Sequence, residues 1–243
     1  CSSGATAIGY AADFIQCGFA DVMVAGGTES LSHVTFSGFN ALQALATGRN
    51  RPFDARRDGI VLGEGAAVLI LESYAHATAR GARILAELVG YGITSDANHI
   101  TAPHPEGDGM ARAMHMALAQ SGVAVQDIGY INAHGTGTVL NDKSETMAIH
   151  RVFGEHAKAT AVSSIKPMIG HTLSAAGAIE AVATILSLRG QFLPPTLNYQ
   201  EPDPECDLDY VPNIARNRSF QYAMKNSLAF GGNNTSLIFK RHD

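Results

Sequence analysis

The feature that most constrains this 243-residue chain is a regular alternation of short apolar strand patterns with helical ones, punctuated by glycine. Residues 1–18, CSSGATAIGYAADFIQCG, begin with two good N-cap serines, Ser2 and Ser3. They continue with Ala5, Ile8, Ala12 and Ile15 at helical spacing and stop at Gly18, which predicts a helix. Residues 20–30 read as a short buried strand, and 59–73 as two strands, Gly59 to Leu62 and Ala66 to Leu71, joined at a glycine turn. A short helix follows to Gly81, then a strand with a glycine kink over 83–96 and an amphipathic helix over 108–122 with Met110, Met114 and Met116 expected in the core. The pattern then repeats: strand and polar glycine turn (127–138), helix (142–154), strand and loop (160–171), Ala-rich buried helix (174–190), and a closing hairpin (225–241). Strands apolar on both faces, alternating with helices, predict α/β layers around a buried sheet. There is also an internal echo: residues 1–18 and 173–190 are both small-residue helix starts that run about four turns to a glycine.

Composition narrows the function classes. The chain is 46% hydrophobic, ample for a core, and 16% charged, too little for a disordered polymer. A net charge of −5 argues against a general nucleic-acid or membrane-surface binder, which needs a basic face. The local exception is the run Arg49, Arg51, Arg56 and Arg57. It reads either as a solvated loop or as a docking site for an acidic partner. The three cysteines, Cys1, Cys17 and Cys206, form no CxxC pair and no metal spacing, which suits a reducing compartment. With no signal-peptide pattern and no apolar run of transmembrane length, the cytoplasm is the expected location.

Three side chains carry candidate chemistry. A helix N-terminus offers unpaired N–H groups that favour a thiolate, and Cys1 is placed at one. His134, in NAHGTGT, lies just past a strand, where α/β sheets put their sites. His171 leads a helix with Lys166 five residues before it; the positive helix end disfavours imidazolium, and a neutral imidazole can donate to a developing anion. The turn AFGGNN lets backbone N–H groups approach a ligand, or simply closes a hairpin. Each residue alone has a bland structural reading; the set points to a Cys–His–His site. Zinc is disfavoured, because the three lack close ligand spacing and a fourth ligand.

Taken together, CSSGATAIG, RPFDARRDGIVLGEGAAVLILE, NAHGTGT with the following ND, SSIKPMIGHTLSAAGAIE and NSLAFGGNN resemble the β-ketoacyl-acyl-carrier-protein synthases, most of all the synthase II type. The order of the motifs across residues 1–240 makes the resemblance specific. It implies a thiolase-like five-layered αβαβα fold of two duplicated halves, with 1–80 as the end of the first half and 81–243 as the second. It implies that Cys1 accepts the acyl group, that His134 and His171 hold the thioester carbonyl and promote malonyl decarboxylation, and that Lys166 orients them, paired to Glu145. Asp142 and Glu180 match supporting carboxylates. Phe230, with Gly231 and Gly232, matches a gate that contributes to the oxyanion hole. Arg51 matches a position used for carrier docking. No metal or organic cofactor is implied; 4′-phosphopantetheine belongs to an acyl carrier protein, and the full-length protein is expected to be a homodimer. Two positions depart from the family pattern, Asn233 where Thr is usual and Ala229 where Gly is usual, and both bear on gating and chain length.

In that family a whole portion precedes the cysteine, so the chain reads as a fragment that starts at the nucleophile and exposes apolar surface. A free amine at Cys1 would also alter the oxyanion hole. Two other readings remain at this point. One is an N-terminal-nucleophile hydrolase with the Cys1 amine as base, which leaves His134, Lys166 and His171 without a role. The other is a non-catalytic carrier-binding subunit that relies on the arginines.

Overall fold

A computed structural model describes residues 1–242. In chain order the elements are α1 (Ser3–Gln16), β1 (Val22–Glu29), α2 (His33–Ala41), β2 (Gly65–Glu72), α3 (Tyr74–Ala79), β3 (Glu87–Ser95), α4 (Asp108–Ser121), β4 (Ile128–Asn132), α5 (Val139–Phe153), β5 (Ala161–Ser163), α6 (Lys166–Ile169), α7 (Ala176–Gly190), β6 (Phe192–Leu193), β7 (Arg216–Asn217), β8 (Tyr222–Ala229) and β9 (Asn233–Lys240). Five strands form the main sheet in the order β3-β9-β8-β4-β5, and β1 pairs with β2 in a separate antiparallel ribbon. The main sheet is mixed: β4 runs parallel to both β5 and β8, while β9 is antiparallel to β3 and β8.

Helices α1 and α7 lie between the ribbon and the main sheet, and α4 and α5 cover the sheet's other face. Strands β4, β5, β8 and most of β9 are therefore buried on both faces. Tyr130, Ala223, Leu237 and Phe239 pack towards α1 and α7, and the alternate residues Ile131, Met224 and Ile238 towards α4 and α5. The described residues thus build four successive layers, ribbon, helices, sheet and helices, in the expected order of the αβαβα arrangement. The ribbon corrects the expectation of strands buried on both faces: Val24, Val68 and Ile70 are 64–69% exposed on its outer side.

Other expectations also change. Residues 59–62 form no strand; Ile60 and Leu62 make only isolated bridges, to Leu45 and His171. Helix α2 is not among the expected elements; it has no buried residue, its Val34 and Phe36 being exposed, and Ser32 caps it by accepting from the Thr35 N–H at 3.1 Å. Met110 and Met114 are in the core, but Met116, on the opposite side of α4, is 49% exposed. Residues Leu173–Gly190 are apolar enough over 18 residues to cross a membrane by length and composition, against the expectation of no such run. In the fold this stretch is the central helix, with 56% of it buried inside the protein.

The sequence echo has a structural counterpart. Helices α1 and α7 cross where Gly4 and Ala5 meet Gly177 and Ala178. A Cβ on Gly4 would lie 2.9 Å from the Ala178 nitrogen, and one on Gly177 would lie 2.4 Å from the Ala5 nitrogen. The contact is reciprocal, as two related helix starts facing each other across a local two-fold would make it. Both obstacles are backbone, which cannot rotate away. In the full-length protein, Gly177→Ala is expected to lower the unfolding free energy by about 1–3 kcal/mol in chemical denaturation, through helix displacement.

Candidate active site

The parallel pairing of β4 and β5 aligns their C-terminal ends, with Asn132 beside Ser163 and the Ala133 N–H donating to the Ser163 carbonyl at 2.9 Å. The chain leaving β4 delivers His134, and the chain leaving β5 delivers Lys166 at the start of α6. The glycine turn 134–137 is clamped from α5. Glu145 accepts the N–H groups of His134 and Gly135 at 2.8 and 2.9 Å. Asp142 accepts those of Phe53 at 2.7 Å and Gly137 at 3.2 Å. Both carboxylates are fully buried, and burial pushes both upward from ordinary carboxylate values.

Lys166 is buried and donates to the His134 carbonyl and to Glu180 Oε1, the latter at 2.6 Å. Its Nζ also faces His134 Nδ1 at 3.4 Å. His171 arrives from the other side. Its backbone is held by the Val61 carbonyl at 2.6 Å, and its Nδ1 accepts the Leu173 N–H at 3.2 Å. An ammonium and an amide can only donate. Both Nδ1 atoms are therefore acceptors, and each neutral ring carries its proton on Nε2. The two rings stand edge to face with centroids 5.3 Å apart.

Cys1, half-buried two residues before the start of α1, lines one cavity of about 320 Å³ with His134, His171, Thr136, Thr138 and Phe230. Gly231 and Gly232 turn the chain with φ of +78° and +74°, a left-handed pair that a side chain would strain. This puts Phe230 at the mouth, 42% exposed, with its ring 5.7 Å from that of Phe39 in α2. Asn233 closes the same turn by donating to the Phe230 carbonyl at 3.3 Å.

Residues 1–77 match the family model "Beta-ketoacyl synthase, N-terminal domain", and residues 85–200 match "Beta-ketoacyl synthase, C-terminal domain". The chain belongs to the β-ketoacyl synthase family. The chain is 49% identical, over all of its length, to 3-oxoacyl-[acyl-carrier-protein] synthase 2 of Staphylococcus aureus. It spans 60% of that relative. It superposes on a β-ketoacyl synthase from Burkholderia phymatum with a TM-score of 0.96 and 48% identity, over 100% of this chain and 60% of the other. A second structure is described as a type II polyketide acyl-carrier protein in complex with its ketosynthase. It matches with a TM-score of 0.98 and 42% identity, over 100% of this chain and 62% of the other. The fold is thiolase-like.

Of the residues expected in the synthase site, Cys1, His134, His171 and Phe230 share the cavity, and Lys166 lies directly behind His134. Two assignments change. Lys166 pairs with Glu180, not Glu145, because Glu145 is committed to the amides of the glycine turn. Arg57 does not belong to a surface cluster: its guanidinium is 3% exposed, reaches Asp203, and donates to the Asp54, Thr138 and Val139 carbonyls. Arg49 is exposed and Arg51 half-buried, while Arg56 is partly neutralised by Glu201 at 3.2 Å. One buried residue escaped the sequence reading. Lys225, in the middle of β8, lies 2.8 Å from Glu180 Oε2. Its signal was a lone cation within a strand that the sequence predicts to be part of the closing hairpin.

Burial, and then the nearby charge of Lys166, hold His134 and His171 well below the ordinary histidine value. In the unfolded chain both protonate near pH 6.5, while the folded forms resist. The unfolded state then binds more protons, so stability falls as pH drops below about 6.5. Each histidine contributes a slope of about 1.4 kcal/mol per pH unit there. Urea unfolding of the full-length His134→Asn and His171→Asn variants between pH 7 and 5 is expected to give a shallower acid-side loss than the parent.

Proposed function

We propose that the full-length protein is a 3-oxoacyl-[acyl-carrier-protein] synthase, catalysing a decarboxylative Claisen condensation in fatty-acid or polyketide-like chain elongation. The observation that most supports this is the pair of Nε2–H donors facing the cavity that Cys1 enters. Two imidazoles whose Nδ1 atoms are already engaged are poised to donate to an anion, not to act as bases.

The Cys1 thiolate takes the acyl group from one carrier thioester, releasing that carrier's thiol. The malonyl thioester enters with its carbonyl oxygen in reach of His134 and His171. Its carboxylate leaves as carbon dioxide, and the electron pair of the broken C–C bond forms an enolate whose oxygen the two N–H groups stabilise. The enolate carbon attacks the acyl carbonyl, forming the new C–C bond. Collapse of the tetrahedral intermediate expels the Cys1 thiolate and leaves a 3-oxoacyl carrier thioester. Lys166 holds the His134 carbonyl and faces Nδ1, which keeps the Nε2–H directed at the enolate. No metal or organic cofactor takes part in this scheme. A hydrolase with Cys1 as N-terminal nucleophile would leave this histidine arrangement without a task, and a purely binding subunit would have no use for it.

The working form we propose is a cytoplasmic homodimer served by an acyl carrier protein. Support comes from the bare apolar face of the β1–β2 ribbon, the free cysteines Cys1, Cys17 and Cys206, and the carrier named with the structural neighbour.

Two experiments test the reading on full-length protein. Cys1→Ser is expected to abolish acyl transfer while carbon dioxide is still released from malonyl-carrier protein, whereas His134→Asn is expected to lower that release by about 100-fold or more. Undiminished release in His134→Asn, measured with radiolabelled malonyl, overturns the assignment. For docking, Arg51→Ala should raise KM for the carrier-bound substrate and flatten its salt dependence with kcat nearly unchanged. A small pantetheine thioester should feel little of this, and equal loss on both substrates would remove Arg51 from the docking face.

A further inference from the structure

Beneath the two histidines lies a group of buried charges larger than the proposed reaction needs. Lys166 on α6 and Lys225 on β8 sit on opposite oxygens of one carboxylate, Glu180 of α7, at 2.6 and 2.8 Å. All three side chains are at most 1% exposed. The alternation along β8 makes this geometry: Ala223 and Lys225 point to the α7 side, while Met224 and Asn226 point to α4, where the Asn226 amide lies 3.5 Å from Met114 Sδ. The parallel register sets Lys225 opposite Asn132, two residues before His134. Its Nζ also reaches the Asn226 carbonyl.

We propose that Lys225 is a positioning residue of this site: a second buried cation on Glu180 that balances the charges under the histidines and helps to keep both imidazoles uncharged. The inference rests on the reading of His134 and His171 as N–H donors. A buried charge is tolerated only when it is paired. Lys166 and Lys225 against Glu180 and Glu145 sum to zero, so the histidines meet no net negative field that would draw in protons. Every charged group facing them supports this arrangement. Lys166 and Lys225 both disfavour imidazolium on either ring, and on His134 the neighbouring His171 does so too. The carboxylates that would favour it are each engaged: Glu180 by the two lysines, Glu145 by the His134 and Gly135 amides, and Asp142 by Gly137, Phe53 and Asn141. Removing the Lys225 charge leaves the group one negative charge in excess, which favours proton uptake by the neighbouring histidines. A protonated, reoriented imidazole cannot hold the same hydrogen bonds at Nδ1.

The test is the pH profile of malonyl-carrier-protein decarboxylation by full-length protein carrying Lys225→Met, with Lys225→Gln as the second variant should the first not fold. Either is expected to shift the acid limb to higher pH, and Lys225→Arg to return it to the parent position. The charge-balanced double variant Lys225→Met, Glu180→Gln should recover part of the shift. ¹³C-histidine NMR titration reads the same shift without relying on turnover. If the rate falls but the acid limb and the histidine titrations stay in place, Lys225 only supports the fold and the inference is overturned. Retained decarboxylation in His134→Asn would instead refute the donor reading itself, whatever Lys225 does.

Discussion

The structure depends on one close crossing. Helices α1 and α7 touch backbone to backbone because Gly4 and Gly177 have no side chains to hold them apart. That contact sets how near the N-terminal end of α1 comes to the turn preceding α7. Cys1 lies just before the first of these helices and His171 just before the second. The same crossing sandwiches α7 between the ribbon and the main sheet, which puts Glu180 deep in the interior, where it meets Lys166 and Lys225. A thicker interface would separate the thiol from the histidines and open the charge group to solvent.

Around that crossing, the site is built from backbone as much as from side chains. The turn that carries His134 needs positive φ at Gly135 and Gly137, and it is kept by Asp142 and Glu145 reaching back from α5. The left-handed pair Gly231–Gly232 fixes the mouth at Phe230. These carboxylates are far from solvent, so each is retained only because backbone amides or cations satisfy it. The result is a cavity into which two imidazoles can donate, suited to an anion that exists only during reaction.

Much of this was legible in the sequence, for identifiable reasons. The helix over residues 3–16, the hairpin over 222–240 and the strand–turn–histidine unit around His134 each follow from a local period bounded by glycine. Motif order carried the family. Other features were out of reach. Helix α2 carries Val34, Phe36 and Phe39 but buries none of them, so no single apolar stripe marks it. Residues 59–62 look like a strand by composition, yet find no partner strand beyond isolated bridges. Met116 shares composition with Met110 and Met114 but not their face of α4. The ribbon's bare outer face reads in sequence like any buried strand.

The sequence by itself determined the α/β alternation, the reactive side-chain types and the glycines that let backbones meet, because these depend on residues close along the chain. Only the tertiary structure decided which charges pair. Glu145 and Glu180 are equally plausible partners for Lys166 in sequence, at 21 and 14 residues' separation. The fold gives Glu145 to two amides and Glu180 to two lysines, and it buries Arg57 while leaving Arg49 in water. Pairing of buried charges is a matter of three-dimensional distance and desolvation. Neither is encoded in spacing along the chain once strands from distant segments lie side by side.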